Sequence, residues 1–192
     1  MKLCFATRNT NKIKEIKAKL GDAFEIVSLE DIQCQEELPE TTGTIEGNSA
    51  QKAQFVWEHY NINCFADDSG LEVTALAGAP GVDSAMYAGV HGDSEANIQL
   101  LLKNLQGISQ REAQFKTVIT LVLNGKTHQF EGTIAGSILE EKKGSEGFGY
   151  DPVFLPKGYP QTFAEMPLEE KNKISHRSLA TEKLIQYLQS TL

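Results

Sequence analysis

Two aspartates stand side by side in the segment Phe65-Ala66-Asp67-Asp68-Ser69-Gly70-Leu71, directly after the short apolar run that begins at Cys64. Adjacent carboxylates at the end of a buried strand repel each other and lose hydration unless a cation neutralises them. Mg²⁺ suits such a pair, because it takes one or two carboxylates and fills its shell with water and substrate phosphate oxygens. In open α/β sheets the carboxyl end of a strand is also where ligands bind. The same four residues, Asp67 to Gly70, equally fit an Asx-type turn, with Asp and Ser accepting backbone N–H bonds and Gly taking positive φ.

Three other segments carry residue types that suit a phosphorylated, flat-ringed ligand. Thr7-Arg8-Asn9-Thr10-Asn11-Lys12 follows an apolar run and precedes a helical pattern. A helix start offers unpaired N–H groups and a positive dipole end to an anion, and Lys12 on the first turn can reach a phosphate. Plain capping by Thr or Asn beside a solvated lysine fits as well, and the Walker A spacing is absent. In Gly144-Ser145-Glu146-Gly147-Phe148-Gly149-Tyr150-Asp151-Pro152 the glycines admit close backbone approach, while Phe148 and Tyr150 offer faces for base stacking. A hairpin loop whose aromatics dock on the core is the competing reading. Glu169 to Arg177 is a charge run that ends in Ser175-His176-Arg177. A guanidinium suits bidentate contacts with phosphates or carbonyls, although such runs also form ordinary solvated faces.

The elements that must hold these segments alternate between short apolar runs and helical periodicity. Residues 2–6 read as a strand; Ile13, Ile16 and Leu20 follow at helical spacing with Gly21 as a stop, and Phe24 to Ser28 reads as a second strand. That β-α-β opening implies a parallel crossover. Residues 30–47 read as a surface loop, a helix follows to Tyr60, and Cys64 to Ala66 is a strand running into the aspartates. After a second loop over 75–92, Asp93 caps a helix bearing Ile98, Leu101, Leu102 and Leu105. Strands over Phe115–Leu123 and His128–Leu139 flank Asn124-Gly125, a hairpin signal, and Ser178 to Leu188 closes the chain as a helix.

Bulk properties narrow the function classes. With 192 residues, 40% hydrophobic and 23% charged, the chain reads as one globular α/β domain with a mixed sheet and long glycine-marked loops. A net charge of −8 argues against a general nucleic-acid binder, so a phosphorylated ligand requires local lysines, arginines or a divalent metal. Cys4, Cys34 and Cys64 form no disulfide framework or zinc spacing. No stretch approaches a membrane span and the N-terminal apolar run is too short for a signal peptide, so the expectation is a cytoplasmic protein without membrane contact. Asp-Ser-Gly also occurs in aspartic proteases, but that fold is all-β, against the helical segments here.

In combination and in order, Thr7-x-Asn9-x-x-Lys12, Ala66-Asp67-Asp68-Ser69-Gly70-Leu71, Gly147-Phe148-Gly149-Tyr150-Asp151-Pro152 and Ser175-His176-Arg177 resemble the inosine triphosphate pyrophosphatase family. These enzymes are also called non-canonical purine NTP pyrophosphatases or the Ham1-like family. The likeness extends from Lys2 to the C-terminal helix. It implies Mg²⁺-dependent hydrolysis of ITP, dITP and XTP to the monophosphate and pyrophosphate, by a homodimer. It further implies an elongated mixed sheet flanked by helices, with two lobes around a deep substrate cleft. By position, Asp68 is then the general base and a metal ligand, and Glu40 a second metal ligand. Thr7, Arg8, Asn9, Thr10, Asn11, Lys12, Lys52 and Ser69 would hold the triphosphate. Phe148, Gly149, Tyr150, Asp151, Lys171, His176 and Arg177 would form the base and sugar pocket. Arg8 departs from the usual Gly, and Asp83 and Met86 stand where Tyr and Arg are expected. Two alternatives remain at this level: a nucleotide sensor without hydrolysis, and a pyrophosphatase for modified pyrimidine nucleotides.

Overall fold

The computed structural model describes residues 1–20 and 24–191. Strand β1 (Lys2–Phe5), helix α1 (Thr10–Leu20) and strand β2 (Glu25–Val27) form the expected opening, and β1 pairs with β2 in parallel through Leu3↔Ile26 and Cys4↔Val27. Gly21, the expected helix stop, lies outside the described residues. Helix α2 (Ile45–Tyr60) begins inside the segment read as loop, because the Thr44 side chain accepts from Gly47 N at 3.0 Å and caps it.

Strand β3 (Cys64–Val73) is longer than the sequence implies. It does not turn out of the sheet at the aspartates. Its first residues pair in parallel with β1 (Cys4↔Cys64, Phe5↔Phe65), and its last pair antiparallel with β4 (Pro80–Gly81) through Leu71↔Gly81. With ladders at both ends, the Asp67-Asp68-Ser69-Gly70 stretch stays extended, so neither a strand end nor an Asx turn forms there. Helix α3 (Ser94–Asn104) starts at Asp93, whose carboxylate accepts from Ala96 N at 3.0 Å, as the sequence predicts. Strands β5 (Glu112–Leu123) and β6 (Lys126–Ile138) flank Asn124 and Gly125 at φ 51° and 78°, a turn with both central residues left-handed. Strand β7 (Phe154–Pro156) and helices α4 (Leu168–Ile174) and α5 (His176–Thr191) complete the chain. Neither β7, of 3 residues, nor α4, of 7, is long enough to show a period in the sequence. The mixed sheet runs β2-β1-β3-β5-β6-β7, with β4 on β3.

Contacts divide the chain into two compact units, with boundaries inside β3, β5 and β6 and after the first residue of α5. Unit 1 comprises Met1–Asp68, Thr117–Gly132 and Arg177–Leu192. On one face of its strands, Leu3, Phe5, Phe65, Ile119 and Leu121 pack against Ile16 and Leu20 of α1 and Ala180, Leu184 and Leu188 of α5. On the other face, Cys4, Ala6, Ala66 and Val122 pack against Ala53 and Val56 of α2. Covered on both faces, these strands are continuously apolar rather than alternating. Unit 2 comprises Ser69–Lys116 and Thr133–His176, and its core joins Leu71, Phe115, Ile138 and Phe154 to Ile98, Leu101 and Leu105 of α3 and to Phe163. Among the described residues, no helix is long and apolar enough to cross a membrane.

Candidate active site

Because β3 stays extended through the aspartate pair, Asp67 and Asp68 project to opposite faces of the strand. Asp67 is fully buried and lies in a chain of ion pairs within unit 1. Lys12 Nζ is 3.1 Å from its Oδ1, Arg177 Nε is 3.1 Å from its Oδ2, and the Arg177 guanidinium also meets Glu15. Lys12 and Glu15 stand three apart on α1 and so share a helix face. Burial alone would raise the Asp67 carboxyl, but Lys12, then Arg177 and Lys52, hold it well below the usual carboxylate range. Lys12 is shifted down, chiefly by burial and against the pull of Asp67. Burial opposes the Arg177 charge as well, and Glu15 and Asp67 outweigh it.

On the other face, Lys52 of α2 pairs with Glu40 and lies 4.0 Å from Asp68 Oδ1. Asp68 is 9% exposed, and its carboxyl is shifted up, first by burial, against the opposing pull of Lys52 and Lys12. Glu40 and Asp68 therefore converge on one cationic group, the Lys52 ammonium. Two hard carboxylates gathered around one positive centre match what Mg²⁺ takes from a protein when water and phosphate supply the rest. Among the described residues no group of three or more His, Cys, Asp or Glu side chains is placed to hold a metal ion.

The turn between β1 and α1 is built by its own side chains. Thr7 Oγ1 accepts from Asn9 N at 3.2 Å, and Asn9 Oδ1 accepts from Asn11 N at 3.0 Å and Lys12 N at 3.2 Å. Asn9 is thus the cap of α1, and Thr10 and Asn11 are exposed in its first turn. The Arg8 guanidinium donates to Cys34 O at 2.9 Å and Glu36 O at 3.0 Å, so it is committed to main chain.

Unit 2 carries a second charged cluster. Lys171 Nζ lies 2.7 Å from Asp151 Oδ2, and that oxygen also accepts from Phe148 N at 2.8 Å. The ammonium stands 5.0 Å from the Phe148 ring centre and 5.5 Å from that of Phe163. Gly147, at φ +74°, faces Asp151 so closely that a Cβ would strike its carboxylate. His176 is buried and stacks on Phe115 with ring centres 4.6 Å apart.

Two candidates sit differently from the sequence expectation. Tyr150 presents no open face to a base: it belongs to the unit 2 core, and its hydroxyl donates to Ser84 O at 2.8 Å. The Arg177 guanidinium is engaged by Glu15 and Asp67 in unit 1. Within unit 1 the structure gathers Lys12, Glu40, Lys52, Asp67, Asp68 and Arg177; within unit 2 it gathers Phe148, Asp151 and Lys171, with Gly149 next to them. Ser69 opens unit 2 in the interior of β3. Glu15 and Phe163 escaped the sequence reading. The one available signal was a charge flanking the Ile13-Ile16-Leu20 stripe, where a carboxylate must be paired to be buried. A cavity of about 950 Å³ in unit 2, lined by Glu72, Gln114, Ser137, Leu155 and Lys157 among others, holds none of the candidate residues.

Comparison with known proteins agrees over nearly the full length. A family model described as the Ham1 family matches residues 3–187. A protein of Christiangramia forsetii named dITP/XTP pyrophosphatase is 54% identical over 188 residues, covering 98% of this chain and 99% of that protein. A protein of the same name from Bacillus subtilis is 43% identical, covering 96% of each. The solved structure of the Staphylococcus aureus Ham1 protein superposes with a TM-score of 0.92 at 36% identity, covering both chains completely.

Proposed function

The chain belongs to the Ham1 family, and from that premise we propose that it hydrolyses ITP, dITP and XTP to the nucleoside monophosphate and pyrophosphate. The observation that carries this reading is the division of the aspartate pair, with Asp67 sunk in cations and Asp68 turned with Glu40 toward Lys52. The names of relatives as similar as 54% support the substrate class. Glu40 and Asp68 would hold Mg²⁺, which would supply charge neutralisation for the departing pyrophosphate. Lys12 and Lys52 hold the phosphate oxygens. They give an acidic protein the local positive charge it needs. Asp68 accepts a proton from the water that attacks the α–β anhydride; the bridging P–O bond breaks and its electron pair leaves on the pyrophosphate.

The base reading belongs to unit 2. Phe148 offers a ring face, and Lys171, steered by Asp151, donates to the 6-oxo oxygen that hypoxanthine and xanthine share. Adenine presents an amino group there, and the unmet donor costs about 1–3 kcal/mol. Arg177 acts through Asp67, as support for Lys12. The reading includes a cytoplasmic homodimer, as the family resemblance implies.

Pyrophosphate release from ITP, dITP, XTP, ATP, GTP and modified pyrimidine triphosphates, each with and without Mg²⁺, tests it. The inosine and xanthosine substrates should lead, only with metal, and Asp68→Asn should lose most turnover while keeping its fold. Turnover of Asp68→Asn near that of the unmodified protein would sink the assignment, and binding without hydrolysis would make the protein a sensor.

A further inference from the structure

We propose that Arg8 is a positioning residue for Glu40: from the phosphate-facing turn it clamps the irregular segment that carries this carboxylate. The inference rests on Glu40 being a metal ligand, as read above.

Residues 34–42 form neither helix nor strand, so no ladder fixes them. A metal ligand on such a segment is held only if side chains pin its two ends. The C-terminal end is pinned by α2, the helix that carries Lys52. Thr41 N donates to Gln51 Oε1 at 2.9 Å, Gln51 Nε2 donates to Thr41 Oγ1 at 2.9 Å, and Thr42 Oγ1 donates to Asn48 Oδ1 at 2.9 Å. The N-terminal end is pinned by Arg8, whose two terminal nitrogens donate to the carbonyls of Cys34 and Glu36 at 2.9 and 3.0 Å. Tyr60 OH donates to Glu36 Oε2 at 2.6 Å, and Cys34 N donates to Leu29 O at 2.9 Å, which completes that end. Glu40 lies between the two pins and meets Lys52.

The rigid fork of a guanidinium holds two carbonyls at a set spacing, which a lysine ammonium does not reproduce. Arg8 stands between Thr7 and Asn9, whose side chains shape the turn at the start of α1. The clamp therefore ties the backbone that faces phosphate to the segment that carries Glu40. Triphosphate and metal then bind with mutual support, since either ligand orders what the other needs.

The test uses the full-length metal-free protein and Mn²⁺ alone, titrated by electron paramagnetic resonance, with amide hydrogen exchange on the same samples. If the unclamped segment spends a tenth of its time in the binding position, Mn²⁺ affinity falls about tenfold in Arg8→Ala. Exchange over residues 35–42 should speed up in that variant while α2 is unchanged, and Arg8→Lys should not rescue either property. Glu40→Gln should lose Mn²⁺ affinity with exchange over 35–42 unaltered. Wild-type Mn²⁺ affinity in Arg8→Ala, or full rescue by Arg8→Lys, overturns the clamp while the metal reading stands. Unchanged affinity in Glu40→Gln overturns the metal reading itself, and the inference with it.

Discussion

Replacing Glu15 with alanine removes a carboxylate that, with Asp67, holds the Arg177 guanidinium inside unit 1. The side chains of Glu15 and Arg177 are 6% and 3% exposed, and that of Asp67 is 0%. Solvent cannot take over as partner, and the cost approaches that of breaking a buried pair, about 3–5 kcal/mol. Asp67 still faces Arg177, so the lower end of about 3 kcal/mol applies. For a chain of this size each kcal/mol moves Tm by about 2–4 °C, which sets an expected fall of about 6–12 °C. Urea unfolding followed by circular dichroism gives the free energy for Glu15→Ala, Arg177→Met and the double variant. The double variant removes both charges of the contact and leaves Asp67 with Lys12. Its loss should be smaller than the summed single losses by about 2 kcal/mol or more. Additivity within about 0.5 kcal/mol, the range for independent sites, would refute the buried network as an energetic unit.

Lys171→Met should keep the volume near Phe148 but remove the donor, narrowing the ITP to ATP ratio of kcat/KM by about 5- to 150-fold; an unmoved ratio refutes the base assignment. Gly147→Ala and Gly149→Ala form a matched pair. Both need positive φ, at +74° and +62°, but only the first thrusts a methyl at Asp151. The strain of left-handed backbone, about 1–2 kcal/mol, is common to both, so Gly147→Ala should lose more stability and also base selectivity; equal losses would count against the contact. Burial pushes the Cys4 and Cys64 thiols up to about 12. The unfolded chain releases these protons near pH 8.5 while the native chain keeps them, so their contribution to stability is intact below that pH and lost as pH rises toward 12. At pH 8 iodoacetamide should label Cys4 and Cys64 no faster than global unfolding, and rapid labelling at either position would contradict this burial.

Much of the architecture was legible because its signals are local. Helical spacing of Ile13, Ile16 and Leu20, the Asp93 cap and the Asn124-Gly125 turn each depend on a few neighbouring residues, and α1, α3 and the β5–β6 turn form where those signals stand. The candidate residues were legible through residue type and order, as the four segments that resemble one family. Other features depended on partners far along the chain. Asp67-Asp68-Ser69-Gly70 has turn chemistry, yet ladder pairing with β1 and β4 keeps it extended, and extension sends the two carboxylates to opposite faces. Arg177 reads as a ligand-binding cation, but its charge is consumed by Glu15, 162 positions away, and Asp67, 110 positions away. Tyr150 reads as a stacking ring, but Ser84 and the unit 2 core take it inward. The sequence alone determined which chemical groups are present and which local elements bear them. Tertiary structure decided which carboxylate is locked and which one faces Lys52, because burial and ion pairing are set by neighbours that folding, not sequence proximity, brings near.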